Sequence, residues 1–118
     1  MAKIVAIVND LIFMTKIRNA AEHFGLTVGF AGNENQIEHF LKNCKLVIID
    51  LENDFLDSVD LIERLKKDPA TASIKTIGYF SHINTPLKAD AFSAGCNEIL
   101  SRFEFNSNLK EILQSSCF

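Results

Sequence analysis

Two kinds of hydrophobic pattern alternate along the chain, and this alternation constrains its fold more than any other feature. Continuous runs of β-prone residues, typical of strands buried on both faces of a parallel sheet, alternate with segments whose apolar residues recur at helical spacing. The predicted strands are Ile4–Val8, Leu26–Ala31, Leu46–Asp50, Ile74–Phe80 and Asn97–Leu100. The predicted helices lie within residues 13–24, 34–41, 57–68 and 85–94 and around 109–113.

Five strands alternating with five helices through short connections predict a doubly wound α/β domain spanning residues 1–118. At this size the flavodoxin-like strand order 2-1-3-4-5 is the leading candidate. In such a sheet, ligands bind at the carboxyl ends of the strands, beside the point where the strand order reverses. The candidates for a functional site are therefore the residues that end or follow strands: Asn9, Asp10, Asp50, Ser81, His82, Ser101 and Arg102.

Composition excludes several classes of partner. The 12 Lys and Arg against 15 Asp and Glu give a formal net charge of −3, without the basic cluster that a nucleic-acid partner demands. No apolar run is long enough to cross a membrane, and no signal-peptide pattern precedes the first strand, so we expect a cytoplasmic protein. Cys44, Cys96 and Cys117 are odd in number and lack metal-ligand spacing, which favours thiols that act as small hydrophobes. Of the three, we expect Cys117 to be the most exposed.

Asp10 and Asp50 are expected to lie close together, because the first and third strands are neighbours in this order. Two carboxylates in one partly buried place repel each other unless a proton or a cation intervenes. Mg²⁺ prefers oxygen ligands, and these two carboxylates with one backbone carbonyl would suit it. With the Ser81 hydroxyl and the Arg102 cation from adjacent strands, the set would form a site that accepts a phosphoryl group.

Each of these residues also has a purely structural interpretation. Asp10 precedes a helix and could serve as its N-cap, and Asp50 could cap the loop that follows its strand. Ser81 and Arg102 are residue types that are common at protein surfaces. Their coincidence at strand ends on one side of one sheet favours the functional interpretation.

Four segments, in order and with compatible spacing, resemble the receiver domains of two-component response regulators, and the resemblance covers essentially the whole chain. Val8–Asp10 resembles the acidic pair after the family's first strand, and Leu46–Leu51 resembles the segment containing its phospho-accepting aspartate. Leu61–Ile77 is similar to the third helix and the entry to the fourth strand. Ala91–Arg102 is similar to the stretch that ends in the family's active-site lysine.

The resemblance implies a role for each matching residue. Asp50 would be the phosphorylated nucleophile, and the Ser81 hydroxyl would bond an incoming phosphoryl oxygen. The matching metal ligands, for Mg²⁺, would be Asp10, Asp50 and the backbone carbonyl of Glu52, with Asn9 as a further ligand. Arg102 matches the family's lysine.

The resemblance also implies partners. A histidine kinase or phosphotransfer protein would donate the phosphoryl group, and a downstream protein would bind the surface of the fourth helix, fifth strand and fifth helix. Such a domain is a signalling module rather than an enzyme, and at most it catalyses its own phosphorylation. Neither nucleic acid nor membrane is an expected partner.

This sequence departs from the family's pattern at several site positions. Asn9 removes one charge from the metal site, and Arg102 replaces a compact ammonium with a planar, bulkier guanidinium. Phe103 stands where the family has proline, and Ile99 stands at an aromatic position. The loop 52–58 keeps the family's length but lacks its Met-Pro and Gly landmarks.

Three hypotheses follow. The first is a stand-alone phosphoacceptor, favoured by Asp50, Asp10 and Ser81. The second is a pseudo-receiver that binds partners without phosphorylation; the departures favour it, and an ion pair between Arg102 and Asp50 that excluded Mg²⁺ would support it. The third, a small flavin or nucleotide enzyme, is disfavoured because the loop after the first strand lacks a Gly-rich or Ser/Thr-rich phosphate cradle.

Overall fold

Five parallel strands form one sheet in the computed structural model, which describes residues 3–82 and 85–118. The strands are β1 (Ile4–Ile7), β2 (Val28–Phe30), β3 (Leu46–Asp50), β4 (Lys75–Phe80) and β5 (Glu98–Ser101). Their order is β2-β1-β3-β4-β5, and each neighbouring pair is parallel. This confirms the predicted doubly wound α/β fold and its strand order.

Helices follow the strands and cover both faces of the sheet. They are α1 (Leu11–His23), α2 (Glu34–Phe40), α3 (Ser58–Lys67), α4 (Thr85–Ser93), α5 (Arg102–Ser107) and α6 (Leu109–Cys117). The prediction of five helices was wrong at the carboxyl end, where the described residues form two helices in succession. Asn108 separates them, because its backbone (φ −110°, ψ 12°) leaves the helical conformation after α5.

Local sequence signals set most helix ends. The side chains of Asp10, Asn33 and Asp57 accept hydrogen bonds from backbone N–H groups in the first turns of α1, α2 and α3, as expected for N-caps. Gly25 (φ 70°) and Gly95 (φ 106°) follow α1 and α4 in conformations that favour glycine.

The core has two parts because successive side chains of a strand point to opposite faces of the sheet. One cluster lies under α1, α5 and α6 and includes Ile4, Ala6, Phe13, Ile17, Leu46, Ile48, Ile77, Tyr79, Phe105 and Leu113. The other lies under α2, α3 and α4 and includes Val5, Ile7, Ile37, Val47, Ile49, Leu61, Ile62, Leu65 and Ala91. The residues of β1 and the first four of β3 are fully buried, which explains why their sequences are continuous apolar runs.

Two side chains, those of Lys66 and Leu51, contact neighbouring strands at opposite ends of the sheet. At the amino ends of β4 and β5, the Lys66 ammonium donates to the carbonyl of Ile74 (2.7 Å) and to the side-chain oxygen of Asn97 (2.8 Å). At the carboxyl end of β3, Leu51 packs against Gly78, where an added Cβ would lie 2.8 Å from a Leu51 methyl group. Gly78 therefore allows the Leu51 side chain to pack directly against the backbone of β4.

The cysteines are free and buried. The prediction that Cys117 is the most exposed was wrong, since it lies in the last turn of α6 with its side chain packed on the sheet and is 7% exposed. Burial raises the pKa of the Cys44 thiol to about 11, and it raises the pKa values of Cys96 and Cys117 as well. Among the described residues, no helix is long and apolar enough to span a membrane.

Candidate functional site

Four strands deliver their polar ends to one edge of the sheet. Asn9 and Asp10 follow β1, Asp50 ends β3, Ser81 follows β4, and Arg102 follows β5 directly as the first residue of α5. Since β1, β3, β4 and β5 are consecutive neighbours, these residues line one side of the molecule. Arg102 contacts both Asp10 and Ser81, and Asp50 ends the strand that lies between β1 and β4, so these side chains share one site.

Arg102 joins two other members of the site. Its Nη2 donates a hydrogen bond to Oδ2 of Asp10 in a short ion pair, and its Nη1 donates to the Ser81 hydroxyl at 3.3 Å. The guanidinium also lies over the ring of Phe13, with its carbon 4.3 Å from the ring centroid. Arg102 is thus paired with Asp10 rather than with Asp50.

Asp10 combines a structural contact with this charge pair. Its Oδ1 accepts from the backbone N–H of Ile12 at 2.8 Å, so the predicted N-cap role is present alongside the site contact. Although burial acts to raise the pKa of Asp10, the Ile12 N–H and the Arg102 guanidinium outweigh it and hold the pKa below the ordinary value. Asp10 is therefore an ionised carboxylate whose charge is already balanced by Arg102.

Asp50 is in the opposite electrostatic position. It is half-buried, and its Oδ1 accepts one hydrogen bond, from the backbone N–H of Glu52 at 2.9 Å. Desolvation raises the pKa of Asp50, and the negative charges of Glu52 and Asp10 add to the effect, against the lowering by the Glu52 N–H and by Arg102. A proton or a cation that neutralises this charge would therefore bind Asp50 favourably.

The Glu52 side chain ties the loop after β3 to the end of β4. Its Oε1 accepts hydrogen bonds from the backbone N–H groups of Ser81 and His82, and its Oε2 contacts His82 Nδ1 at 3.2 Å. Burial acts to raise the pKa of Glu52, but the two N–H groups and His82 hold it below the ordinary value. Glu52 therefore fixes the backbone that carries the Ser81 hydroxyl.

The loop after Asp50 is held by the buried side chain of Asn53. Its Nδ2 donates to the Asp50 carbonyl and to the Ser58 hydroxyl, each at 2.8 Å, and its Oδ1 accepts from the N–H groups of Phe55 and Leu56. These four bonds set the path of the chain from the candidate nucleophile to α3.

An open groove of about 460 Å³ lies beside the Arg102 guanidinium. Its walls include Ile12, Phe13, Ser81, Arg102 and Phe103. The side chains of Ile12 and Phe103 are 64% and 78% exposed, so apolar surface borders the charged groups.

The sequence predicts the strand-end residues of the site, but it did not reveal the side chains that hold the backbone around them. The prediction assigned Glu52 only a backbone carbonyl, gave His82 no contact, and gave Asn53 no role of its own within the loop 52–58. The contacts of these residues depend on side-chain reach between segments far apart in the sequence. The one available signal was the acidic loop 52–58 placed opposite the strand end Ser81-His82.

Comparisons with known proteins identify the fold. No protein-family model matches the sequence, and no curated protein sequence matches it. The structure is similar to the chemotaxis protein CheY4 of Vibrio cholerae (TM-score 0.80, 13% identity, 98% of each chain). It is similar to a response regulator from Thermotoga maritima (TM-score 0.74, 20% identity, 99% of this chain and 98% of that one).

A third solved structure is a response regulator from Burkholderia pseudomallei that holds a phosphorylated aspartic acid, a calcium ion and citrate. Its TM-score is 0.75 at 13% identity, over 100% of this chain and 67% of that one. At these identities the likeness establishes architecture alone. The chain has the fold of the response-regulator receiver domains.

Proposed function

We propose that this chain is a signal-receiving domain, residues 1–118, that accepts a phosphoryl group on Asp50 from a histidine kinase or phosphotransfer protein. The observation that carries the proposal is the arrangement at three adjacent strand ends. A half-buried carboxylate of raised pKa ends β3, and a hydroxyl and a guanidinium, hydrogen-bonded to each other, follow β4 and β5. Nucleophile, hydrogen-bond donor and cation are the components that phosphoryl transfer needs.

The chain's residues would divide the transfer as follows. An Asp50 carboxylate oxygen attacks the phosphorus, and the bond from phosphorus to the donor breaks, with the electron pair leaving on the donor. The Ser81 hydroxyl donates a hydrogen bond to a phosphoryl oxygen, and Arg102 balances the charge that this group brings. The transfer is self-catalysed, since these groups lie beside the acceptor in the same chain.

A divalent cation is the proposed cofactor, and Mg²⁺ is its candidate identity. Oxygens of Asp10, Asp50, the Glu52 backbone carbonyl and the Asn9 amide are the donor type that Mg²⁺ prefers. Within residues 3–82 and 85–118, however, no group of three or more His, Cys, Asp or Glu is arranged to hold a metal. The donors fit in kind, but Arg102 already binds Asp10, so the ion can use Asp10 only when Arg102 releases it. When bound, the ion would neutralise charge between the carboxylates and the phosphoryl group.

Output would pass through protein binding. Ser81 precedes α4 and Arg102 begins α5, so a charge added at Asp50 acts at the base of the surface formed by α4, β5 and the helices α5 and α6. The fifth helix predicted around residues 109–113 is α6. Phe92 of α4 and Phe103 of α5 are 73% and 78% exposed, which gives this surface apolar side chains that a downstream protein could cover.

Intact-mass spectrometry tests the proposal. The chain is incubated with Mg²⁺ and a small acyl phosphate, beside Asp50→Asn and the control Asp90→Asn, which alters an exposed aspartate of α4. We expect one phosphoryl adduct on the wild type and on Asp90→Asn, and none on Asp50→Asn. A folded wild type without an adduct, or an adduct that survives in Asp50→Asn, would contradict the proposal.

A second candidate function is a phosphorylation-independent interaction module with the same fold. The observation that favours it is the ion pair between Arg102 and Asp10, which balances the charge of one proposed metal ligand internally. The same experiment separates the two functions, because only a phosphoacceptor forms the adduct at Asp50.

A further inference from the structure

Tyr79 has a buried hydroxyl that its packing does not explain. Its side chain is 1% exposed, and among the described residues its hydroxyl and that of Ser116 are the buried side-chain oxygens without a hydrogen-bond partner. A buried polar group without a partner is destabilising. A phenylalanine would fill the same space without this penalty.

The hydroxyl belongs to a side chain that neighbours the candidate nucleophile. Tyr79 pairs with Asp50 in the register of β3 and β4, so the two side chains lie side by side on the same face of the sheet. The charges of Asp50, Asp10 and Arg102 all act on Tyr79. Ser116, in contrast, lies near the end of α6.

The ring of Tyr79 connects with Arg102 through an aromatic cluster. It stacks on Phe105 with centroids 4.9 Å apart and lies 5.2 Å from the ring of Phe13. The Arg102 guanidinium lies over the ring of Phe13. A movement of Arg102 away from Asp10 would therefore change the surroundings of the Tyr79 side chain.

We propose that Tyr79 is a positioning residue of the Asp50 site: its hydroxyl donates a hydrogen bond to an Asp50 oxygen while an incoming phosphoryl group draws Arg102 away from Asp10, and it keeps this bond in the phosphorylated chain. This inference rests on the proposed phosphorylation of Asp50. It explains why a hydroxyl is kept at a position where its ring alone would fill the core. Burial and the charge of Asp50 both raise the pKa of Tyr79, so the hydroxyl keeps the proton that it donates.

The composition supplies a direct reporter for this bond. Tyr79 is the single tyrosine of the sequence, which has no tryptophan, so near-ultraviolet absorption and emission in the tyrosine range report on Tyr79. A new hydrogen bond from the phenol to an oxygen shifts its absorption band to longer wavelength. The wild type and Asp50→Asn are compared before and after incubation with Mg²⁺ and an acyl phosphate, with adduct formation followed by mass.

We expect the absorption shift to grow in step with the adduct in the wild type and to be absent in Asp50→Asn. Tyr79→Phe should form the adduct about tenfold more slowly, the effect of losing one hydrogen bond to a charged group. Ser116→Ala, which removes the other unpartnered hydroxyl, should form it at the wild-type rate.

The outcomes separate this inference from the proposed function. An adduct that forms without any change in Tyr79 absorption, or at the wild-type rate in Tyr79→Phe, would overturn the role of Tyr79 and leave Asp50 as the acceptor. A folded wild type that forms no adduct would overturn both.

Discussion

Arg102 makes three contacts of different physical kinds: an ion pair with Asp10, a hydrogen bond to Ser81 and a stacking contact with Phe13. The ion pair is partly open to solvent, since its side chains are 40% and 26% exposed. Solvent screening limits the strength of such a pair, so a stronger partner for Asp10 or for the guanidinium can replace it. Arg102 is therefore suited to exchange partners rather than to lock the site.

Replacing Arg102 should strengthen the binding of Mg²⁺. In Arg102→Gln the Asp10 carboxylate loses its competing cation, so we expect Mg²⁺ to bind about tenfold more tightly than in the wild type. An NMR titration of the backbone amides around Asp10 and Asp50 measures the affinity. Arg64→Gln, which removes a guanidinium paired with Glu34 and Asp60 on α2 and α3, is the matched control and should leave it unchanged. Equal or weaker binding in Arg102→Gln would show that Arg102 does not compete with the ion.

The raised pKa of Asp50 should make the wild type less stable near neutral pH than Asp50→Asn. The ordinary pKa is 3.8, and the folded value lies above it, so the folded chain holds this proton more tightly than the unfolded chain does. The free energy of unfolding contributed by Asp50 therefore falls as pH rises from 3.8 through the folded pKa. We expect Asp50→Asn to unfold at a higher temperature than the wild type at pH 7, with the difference shrinking toward pH 3.8. Melting curves measured across this pH range would contradict the prediction if the wild type unfolded at a higher temperature than Asp50→Asn at pH 7.

At the scale of elements, hydrophobic pattern was a reliable predictor wherever burial is complete. The continuous apolar runs predict β1 and β3, and the predicted N-cap role of Asp10 is confirmed, because each signal is local. The weak point was the carboxyl end, where Asn108 divides α5 from α6 without a proline or glycine to mark the break.

The candidate site also has a part that the sequence predicts and a part that it does not. Its strand-end residues followed from topology, since parallel strands deliver their carboxyl ends to one edge. The ion-pair partner of Arg102 could not be predicted from topology. Whether the long Arg102 side chain pairs with Asp10 or with Asp50 depends on its rotamer, and sequence spacing does not determine the rotamer. The lack of a hydrogen-bond partner for the Tyr79 hydroxyl could not be predicted either. Tyrosine is common in buried strands, and the sequence does not show which groups surround its hydroxyl.

The capping box of α5 should stabilise the helix that begins at Arg102. The Ser101 hydroxyl accepts from the Glu104 N–H at 3.1 Å, and the Glu104 carboxylate accepts from the Ser101 N–H at 3.0 Å. Ser101→Ala should lower the free energy of unfolding by about 1 kcal/mol, as measured by urea denaturation. Ser107→Ala, an exposed serine in the last turn of α5, should change it by less than about 0.5 kcal/mol. A similar loss in both variants would show that the cap is not what stabilises α5.

At the scale of the whole molecule, two apolar layers enclose the three thiols, so their reactivity should report on opening of the fold. Each thiol is buried, and burial raises its pKa, which leaves little reactive thiolate at neutral pH.

We expect a water-soluble thiol reagent to label the native chain far more slowly than the urea-unfolded chain. Cys117 should react first, because it is the last residue of α6 and the end of a helix opens most readily. Cys117→Ser should therefore remove the fastest labelling phase, whereas Cys96→Ser should leave it in place. A fast phase that persists in Cys117→Ser would contradict this order of opening.

The Lys66 contacts lie at the amino ends of β4 and β5, whereas Asp50, Ser81 and Arg102 all lie at carboxyl ends. Lys66, which holds the amino ends of these strands, is therefore separate from the residues that carry the proposed chemistry. The two ends of the sheet are thus mechanically separable. A substitution at position 9 or 102 should change the charge at one edge of the molecule and leave the strand packing at the opposite edge unaltered.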